Sequence, residues 1–242
     1  MNDRNNNLKP PVIGGRQRNV HVYDLGTTQY DDVHKLQRRL QLQRREGAGV
    51  DSLLITEHRP VLTLGRSHPE PSLRVDRKVI ENYGITIRQT ERGGDITYHG
   101  PGQLVAYGII DLRGWDCSVL DYVSGLEECV VGVIGDWGVR GVRSPRGRGV
   151  WVGERKIASL GINVRRWVTM HGIALNVDPD MSHFDMINPC GMQDVEVTSL
   201  SHEVGKQVRV EAVIESFIFH FKRVFECTAA KLDMTRKAVG ER

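Results

Sequence analysis

Helix-like and strand-like segments alternate irregularly along this chain of 242 residues. Long amphipathic helices are predicted over 118–137 and 210–226, because apolar residues recur there every three or four positions. Short apolar segments typical of strands lie before and between them, and 104–112 is the most strongly apolar. This order predicts an α/β or α+β fold, with a mixed sheet and helices packed on it.

The remaining predicted elements are shorter. Helices are expected over 30–46 and 76–83, where Gly47 and Gly84 act as stop signals. Strands are expected over 20–25, 52–56, 61–64, 85–89, 150–152, 156–164 and 167–177, and a helical turn over 181–187.

Composition suggests one domain and limits its partners. No linker interrupts 20–227, so this range is expected to form a single domain, between a disordered arm at 1–19 and a polar tail at 228–242. The net charge of +3 does not favour a nucleic-acid partner. No apolar run approaches about 18 residues and the arm lacks a signal-peptide core, so we expect a cytoplasmic protein that does not bind membranes.

Residues 92–103 read RGGDITYHGPGQ and contain four glycines and a proline. This composition predicts a loop over 92–102 rather than a regular strand. The glycine pair at 93–94 lets the backbone approach a ligand and present N–H groups, and the neighbouring polar side chains add donors and acceptors. We interpret the segment as a binding loop; an ordinary tight turn is the alternative.

Cys190 is the best candidate for a nucleophile among the four cysteines. Within the sequence INPCG, Pro189 favours an extended backbone before the thiol, and Gly191 leaves room beside the sulfur. Cys129 lies on the apolar face of a predicted helix and Cys227 ends another, so both are expected to be packed.

The neighbouring Asp116 is expected to raise the pKa of the Cys117 thiol. The spacing of the cysteines contains no CxxC pair, which argues against a zinc ribbon or a redox motif.

A thiol nucleophile needs a base or a positive neighbour, since few thiols are ionised at neutral pH. Lys156 begins an apolar strand pattern and could supply that group if it is partly buried. The alternative is a solvated lysine at a strand end. His99, His171 and His183 also remain candidates for the base.

Other chemistries find little support. The chain has no GxxxxGK[ST], HExxH or GxSxG motif. Asp178, Asp180, His183 and Asp185 could suggest a metal site, but Pro179 and the irregular spacing favour a polar turn.

Four blocks, RGGDITYHGPGQLVAY at 92–107, KIASLG at 156–161, HGIALNV at 171–177 and NPCG at 188–191, together resemble the lipoyl(octanoyl) transferase family. They occur in that family's order and spacing, and the resemblance extends over about 20–227. It implies a biotin/lipoyl protein ligase-like catalytic domain.

The resemblance also implies an activity, in which an octanoyl group moves from octanoyl-acyl carrier protein to a lysine of lipoyl domains during lipoate biosynthesis. The implied acceptors are the oxo-acid dehydrogenase E2 subunits and the glycine cleavage H protein. Cys190 would carry the acyl thioester and Lys156 would be its acid/base partner; no cofactor or metal is expected, and we favour a monomer. The residues implied to line the acyl and pantetheine site are Arg92, Gly93, Gly94, Asp95, Ile96, Thr97, Tyr98, His99, Ser159, Leu160, Gly161, Gly172, Ile173 and Ala174.

Two other functions remain open. An ATP-dependent lipoate or biotin ligase on the same fold would also use a strand lysine but would not need Cys190. A non-catalytic module that binds an acyl chain or a carrier protein would bind without forming a covalent adduct.

Overall fold

The computed structural model describes residues 18–67, 72–144, 147–188 and 195–232. Its α-helices are α1 (Tyr30–Arg45), α2 (Arg77–Asn82), α3 (Val119–Gly135), α4 (Leu200–Val204) and α5 (Glu211–Phe225), with a 3₁₀ helix at Met181–Met186. Its strands are β1 (Asn19–Thr28), β2 (Asp51–His58), β3 (Val61–Leu64), β4 (Thr86–Gln89), β5 (Ile96–His99), β6 (Gln103–Ile109), β7 (Val142–Ser144), β8 (Gly147–Val152), β9 (Arg155–Arg165), β10 (Val168–Asn176) and β11 (Thr228–Lys231).

Within these ranges the strands form two sheets. The larger sheet has the order β11-β1-β2-β6-β10-β9-β8-β7, and β1 pairs in parallel with both β11 and β2 while the other pairs are antiparallel. The smaller sheet has the order β4-β3-β5 and also mixes parallel and antiparallel pairs. The predicted mixed sheet is therefore confirmed.

The larger sheet is covered on both faces. Helices α3 and α5 pack together and share the main core with one face, to which Leu104 and Ala106 of β6 belong. The intervening residues Val105 and Tyr107 point to the opposite face, where α1 contributes Val33. Since successive strand residues point to opposite faces, β6 reads as a continuous apolar run.

Strand β10 is buried along its whole length and lies between β6 and β9. At its centre Gly172 pairs with Tyr107 on one side and Gly161 on the other. A Cβ atom at position 172 would collide with the backbone oxygen of Ala106. Glycine is therefore required here for the close approach of two backbones.

Two segments differ from the expectations. Ile96–His99, placed in a loop by its glycine-rich surroundings, forms β5 and pairs with β3. The prediction of a loop over the whole of 92–102 is therefore wrong: the glycines form turns on each side of a short strand, and Gly94 and Gly102 have positive φ. Thr228–Lys231, assigned to the polar tail, forms the edge strand β11.

The expected arm at 1–19 lies almost wholly outside the described residues, since only Arg18 and Asn19 are described. In the described part of the chain, none of the helices combines the length and the apolar character needed to cross a membrane.

We expect Gly172→Ala to lower the free energy of unfolding by about 1–3 kcal/mol, because the added methyl group forces β10 away from β6. Gly135→Ala is the matched control. No atom lies within 4 Å of a Cβ built at Gly135, which ends α3, so that variant should be neutral or slightly stabilising. Urea unfolding measures both values, and equal stability of the two variants would contradict the requirement for glycine at 172.

Candidate active site

A cavity lies where the predicted binding segment meets β9 and β10; about 480 Å³ there is free of protein atoms, a volume that includes open solvent at its mouth. All but two of the predicted substrate-binding residues line it. Those in the lining are Arg92, Gly94, Asp95, Ile96, Thr97, His99, Ser159, Leu160, Gly161, Gly172, Ile173 and Ala174. Three blocks that are far apart in sequence therefore share one surface, because β9 and β10 are paired and the segment 92–99 lies against them.

The two exceptions, Gly93 and Tyr98, support the wall from behind. The Gly93 N–H donates to the Ile162 oxygen at 2.8 Å, which attaches the binding segment to β9. The Tyr98 hydroxyl lies 2.8 Å from Nδ1 of His183, a hydrogen bond that joins β5 to the 3₁₀ helix. His183, one of the candidate bases, therefore lies behind the wall with Tyr98.

Arg92 fixes the position of the binding segment. Its buried guanidinium donates through Nε and Nη2 to the Oγ1 of Thr63, at 3.1 and 2.9 Å, and through Nη2 to the Thr63 carbonyl. A Cβ atom at Gly161 would lie 2.7 Å from the Gly93 oxygen. The segment therefore packs directly on the backbone of β9, and Arg92 brings a buried positive charge to the cavity.

Further residues line the cavity without having been predicted to bind substrate: Tyr30, Thr63, Val105, Tyr107 and His171. Of these, only His171 was singled out, as a candidate base. Val105, Tyr107 and His171 lie in the blocks that carry the family resemblance, whereas nothing in the local sequence distinguishes Tyr30 and Thr63 from ordinary core residues.

Two buried histidines lie at this end of the sheet with their rings 6.0 Å apart. Burial lowers the pKa of His58 to about 4 and that of His99 to about 3. His58 Nε2 lies 2.8 Å from the Tyr107 hydroxyl, and His99 Nδ1 lies 3.1 Å from Oε1 of Gln103. Both imidazoles are therefore neutral near pH 7. A pKa this low argues against His99 as the base that takes and keeps the proton of a thiol.

These two histidines predict acid sensitivity. The unfolded chain, with histidine pKa values near about 6.5, binds more protons than the folded chain once the pH falls below that value. The free energy of unfolding should be fully retained above about pH 6.5 and should fall towards about pH 4, with a slope of up to about 2.7 kcal/mol per pH unit. In urea unfolding at several pH values, His58→Gln should remove about half of this slope; an unchanged slope would contradict the assignment.

Lys156 is buried, with 1% of its surface exposed, so the alternative of a solvated strand-end lysine is wrong. It lies on β9 three residues before Ser159, and its Nζ is 5.5 Å from the centroid of the Trp151 ring. Its backbone N–H donates to the backbone carbonyl of Glu196, and its own carbonyl accepts from the backbone N–H of Thr198. Lys156 is therefore held against the segment that follows Cys190 in the chain, although it does not line the cavity.

Cys190 lies outside the described residues, so its distance from Lys156 stays a prediction. The other three thiols are buried. Burial raises the pKa of Cys117 and of Cys227 to about 11, and that of Cys129 well above its usual value. The expected rise at Cys117 is confirmed, but burial and then Asp121 contribute more to it than Asp116.

Comparison with known proteins agrees with this arrangement. The family model of the lipoyl protein ligase A/B catalytic domain matches residues 29–222. An octanoyltransferase from Syntrophobacter fumaroxidans is 46% identical over 209 residues, which cover 86% of this chain and 92% of that protein. The chain belongs to the octanoyltransferase family. Another member, from Solibacter usitatus, is 44% identical and covers 86% of this chain and 94% of its own.

The fold of this octanoyltransferase-family chain also occurs among solved structures. A protein described as a lipoate protein ligase from T. acidophilum, with bound lipoic acid, superposes with a TM-score of 0.72 over 92% of each chain. The sequence identity is 15%, so this likeness concerns the fold alone. It confirms the ligase-like catalytic domain that the sequence resemblance implies.

Proposed function

We propose that this chain transfers an octanoyl group from octanoyl-acyl carrier protein to the lysine of a lipoyl domain, through a thioester on Cys190. One observation carries the proposal: the segments 92–99, 159–161 and 172–174 line a single cavity. The strand that supplies the second of these segments also holds the buried Lys156. The identity to octanoyltransferases supports the same reaction class.

The first half-reaction exchanges one thioester for another. Lys156, in its neutral form, takes the proton of the Cys190 thiol, and the thiolate attacks the acyl carbon of the donor. The bond from that carbon to the pantetheine sulfur breaks, and Lys156 returns the proton to the departing sulfur. The bond that forms resembles the bond that breaks, so no ATP is required.

The second half-reaction makes an amide. The amine of the acceptor lysine attacks the acyl carbon on Cys190, and Lys156 takes a proton from the amine and passes it to the released sulfur. An amide is more stable than a thioester, which draws the transfer forward. The acceptors that we infer are E2 lipoyl domains and the glycine cleavage H protein, and we propose that the enzyme acts as a monomer in the cytoplasm.

The cavity lining suits an aliphatic chain next to a polar thioester. Val105, Leu160, Ile173 and Ala174 provide apolar surface, and each buried CH₂ group contributes about 0.8 kcal/mol. The neutral imidazole of His99 adds no charge. Arg92 and Thr97 bring polar groups to the same cavity, where a thioester or a pantetheine amide needs hydrogen bonds.

The other three thiols are poorly suited to act as the nucleophile, which leaves Cys190 as the candidate. A thiol with a pKa near 11 is almost entirely protonated at neutral pH, and burial also hides it from a protein-sized donor. Cys117, Cys129 and Cys227 are therefore poor nucleophiles. Cys190 is the remaining thiol of the chain. Six residues further on, the backbone carbonyl of Glu196 accepts a hydrogen bond from the backbone N–H of Lys156.

The test measures octanoyl transfer from octanoyl-carrier protein to a purified lipoyl domain without ATP. The gain in mass of the lipoyl domain reports the transfer. Cys190→Ser should reduce the rate at least about 1000-fold, because the covalent intermediate cannot form. Cys117→Ser is the matched control and should transfer at nearly the wild-type rate. Its Sγ contacts the Ser118 carbonyl, a contact that a serine hydroxyl can keep.

Two results would count against the mechanism. Full transfer by Cys190→Ser would exclude the thioester route. Transfer of free octanoate only in the presence of ATP would assign the chain to the ligases instead.

A further inference from the structure

Three side chains from separate elements meet next to the cavity: His34 on α1, Glu91 just after β4 and His171 on β10. The Nε2 atoms of His34 and His171 lie 2.9 and 3.8 Å from the same carboxylate oxygen, Oε2 of Glu91. One ligand atom from each residue lies within 4.8 Å of the other two. The two imidazole rings stack with their centroids 5.6 Å apart and their planes 26° from parallel, so both present an edge to the carboxylate.

His171 has a nitrogen without a hydrogen bond. Its side chain is 2% exposed, and its buried Nε2 has no partner within hydrogen-bonding distance. Leaving a buried polar atom unpaired costs free energy, so such an atom requires an explanation. The unpaired nitrogen faces the carboxylate of Glu91, where a bound ion would satisfy it.

The backbone of His171 is held in an uncommon conformation. Its φ is +64°, in the left-handed region, and its N–H donates to Oε1 of the buried Gln37 at 2.8 Å. Gln37 lies one turn after His34 on α1. The same helix therefore orients His171 through the backbone and contributes a second imidazole to the group.

We propose that His34, Glu91 and His171 bind one divalent transition-metal ion, and that Zn²⁺ fits the site best. Tetrahedral zinc, with bonds of about 2.0–2.2 Å, separates its ligand atoms by roughly 3.3 Å, between the two observed distances from Glu91. Two imidazoles and one carboxylate form a known zinc ligand set that leaves a fourth position for water. Magnesium and calcium prefer oxygen ligands, of which this group offers a single carboxylate.

Arg38 holds the carboxylate of Glu91 from the side away from the two imidazoles. Its Nε donates to Oε1 of Glu91 at 3.0 Å, which leaves Oε2 as the oxygen that faces the two imidazoles. Carboxylate ligands in metal sites are commonly oriented by such hydrogen bonds. The guanidinium charge opposes a cation, but this side chain is 63% exposed and solvent screens its charge.

The role that follows is structural. An ion at this position ties α1 and the end of β4 to β10, and both Tyr30 of α1 and His171 of β10 line the cavity. The sequence predicts no metal here, because the three ligands are far apart in the chain and match no spacing motif. The ion would stabilise one wall of the cavity.

The test uses the full chain after dialysis against EDTA, titrated with ZnCl₂ by calorimetry and with CoCl₂ by absorption spectroscopy. We expect one ion per chain in the wild type and in Cys190→Ser, and a tetrahedral cobalt spectrum without a thiolate charge-transfer band. His34→Gln should weaken zinc binding at least about 100-fold. The matched control His202→Gln, at an exposed histidine on α4, should bind like the wild type.

Three results would overturn the proposal: no zinc bound by the wild type, loss of binding in Cys190→Ser, or unchanged affinity in His34→Gln. The melting temperature of His34→Gln in EDTA should equal that of the wild type, which shows that the variant folds. If it does not fold, the wild-type cobalt spectrum decides. A thiolate band, or no ligand-field band, then refutes the site.

Discussion

The close contact of β10 with β6 and β9 determines the shape of the cavity. At Gly172 the backbone of β10 passes so near to Ala106 of β6 that no side chain fits, and Gly172 faces Gly161 on the other side. The binding segment uses the same device, because the Gly93 oxygen packs on the backbone at Gly161. These glycines have no side chains to contribute contacts. They matter because they let three backbone segments approach closely.

The titratable side chains around this contact differ between the cavity and the far side of β9. His58 and His99 are deeply buried and neutral, and Arg92 and Asp95 bring a basic and an acidic side chain to the cavity lining. Lys156 is buried on β9 outside the cavity lining, beside the indole of Trp151. The buried amine therefore lies apart from the surface that lines the cavity.

Local signals in the sequence predict the longer helices well, whereas the five-residue α4 was not predicted. The predicted helix at 118–137 forms as Val119–Gly135, and Ser118 caps it by accepting from the N–H of Asp121. The strand Ile96–His99 was not predicted, because its partner β3 lies some thirty residues earlier and the flanking glycines dominate the local composition. Strand β11 was not predicted for a similar reason, since it pairs with β1 at the other end of the chain.

The site was predicted in part: composition indicated the binding segment that begins at Arg92, and the family resemblance added 159–161 and 172–174. Periodicity does not reveal that the segments 92–99, 159–161 and 172–174 share a cavity, because the pairing of β9 with β10 brings them together. Tyr30 carries no such signal, since its place in the lining depends on how α1 packs on the sheet. The His34, Glu91 and His171 group is invisible to spacing rules for the same reason.

The central claim is that the donor acylates Cys190 with the help of Lys156. The most direct measurement is the intact mass of the protein after rapid mixing with octanoyl-carrier protein, followed by peptide mapping. The wild type should gain one octanoyl group on Cys190, and Lys156→Ala should gain it at least about tenfold more slowly. No adduct on the wild type, an adduct on another residue, or equal rates in the two proteins would contradict the account.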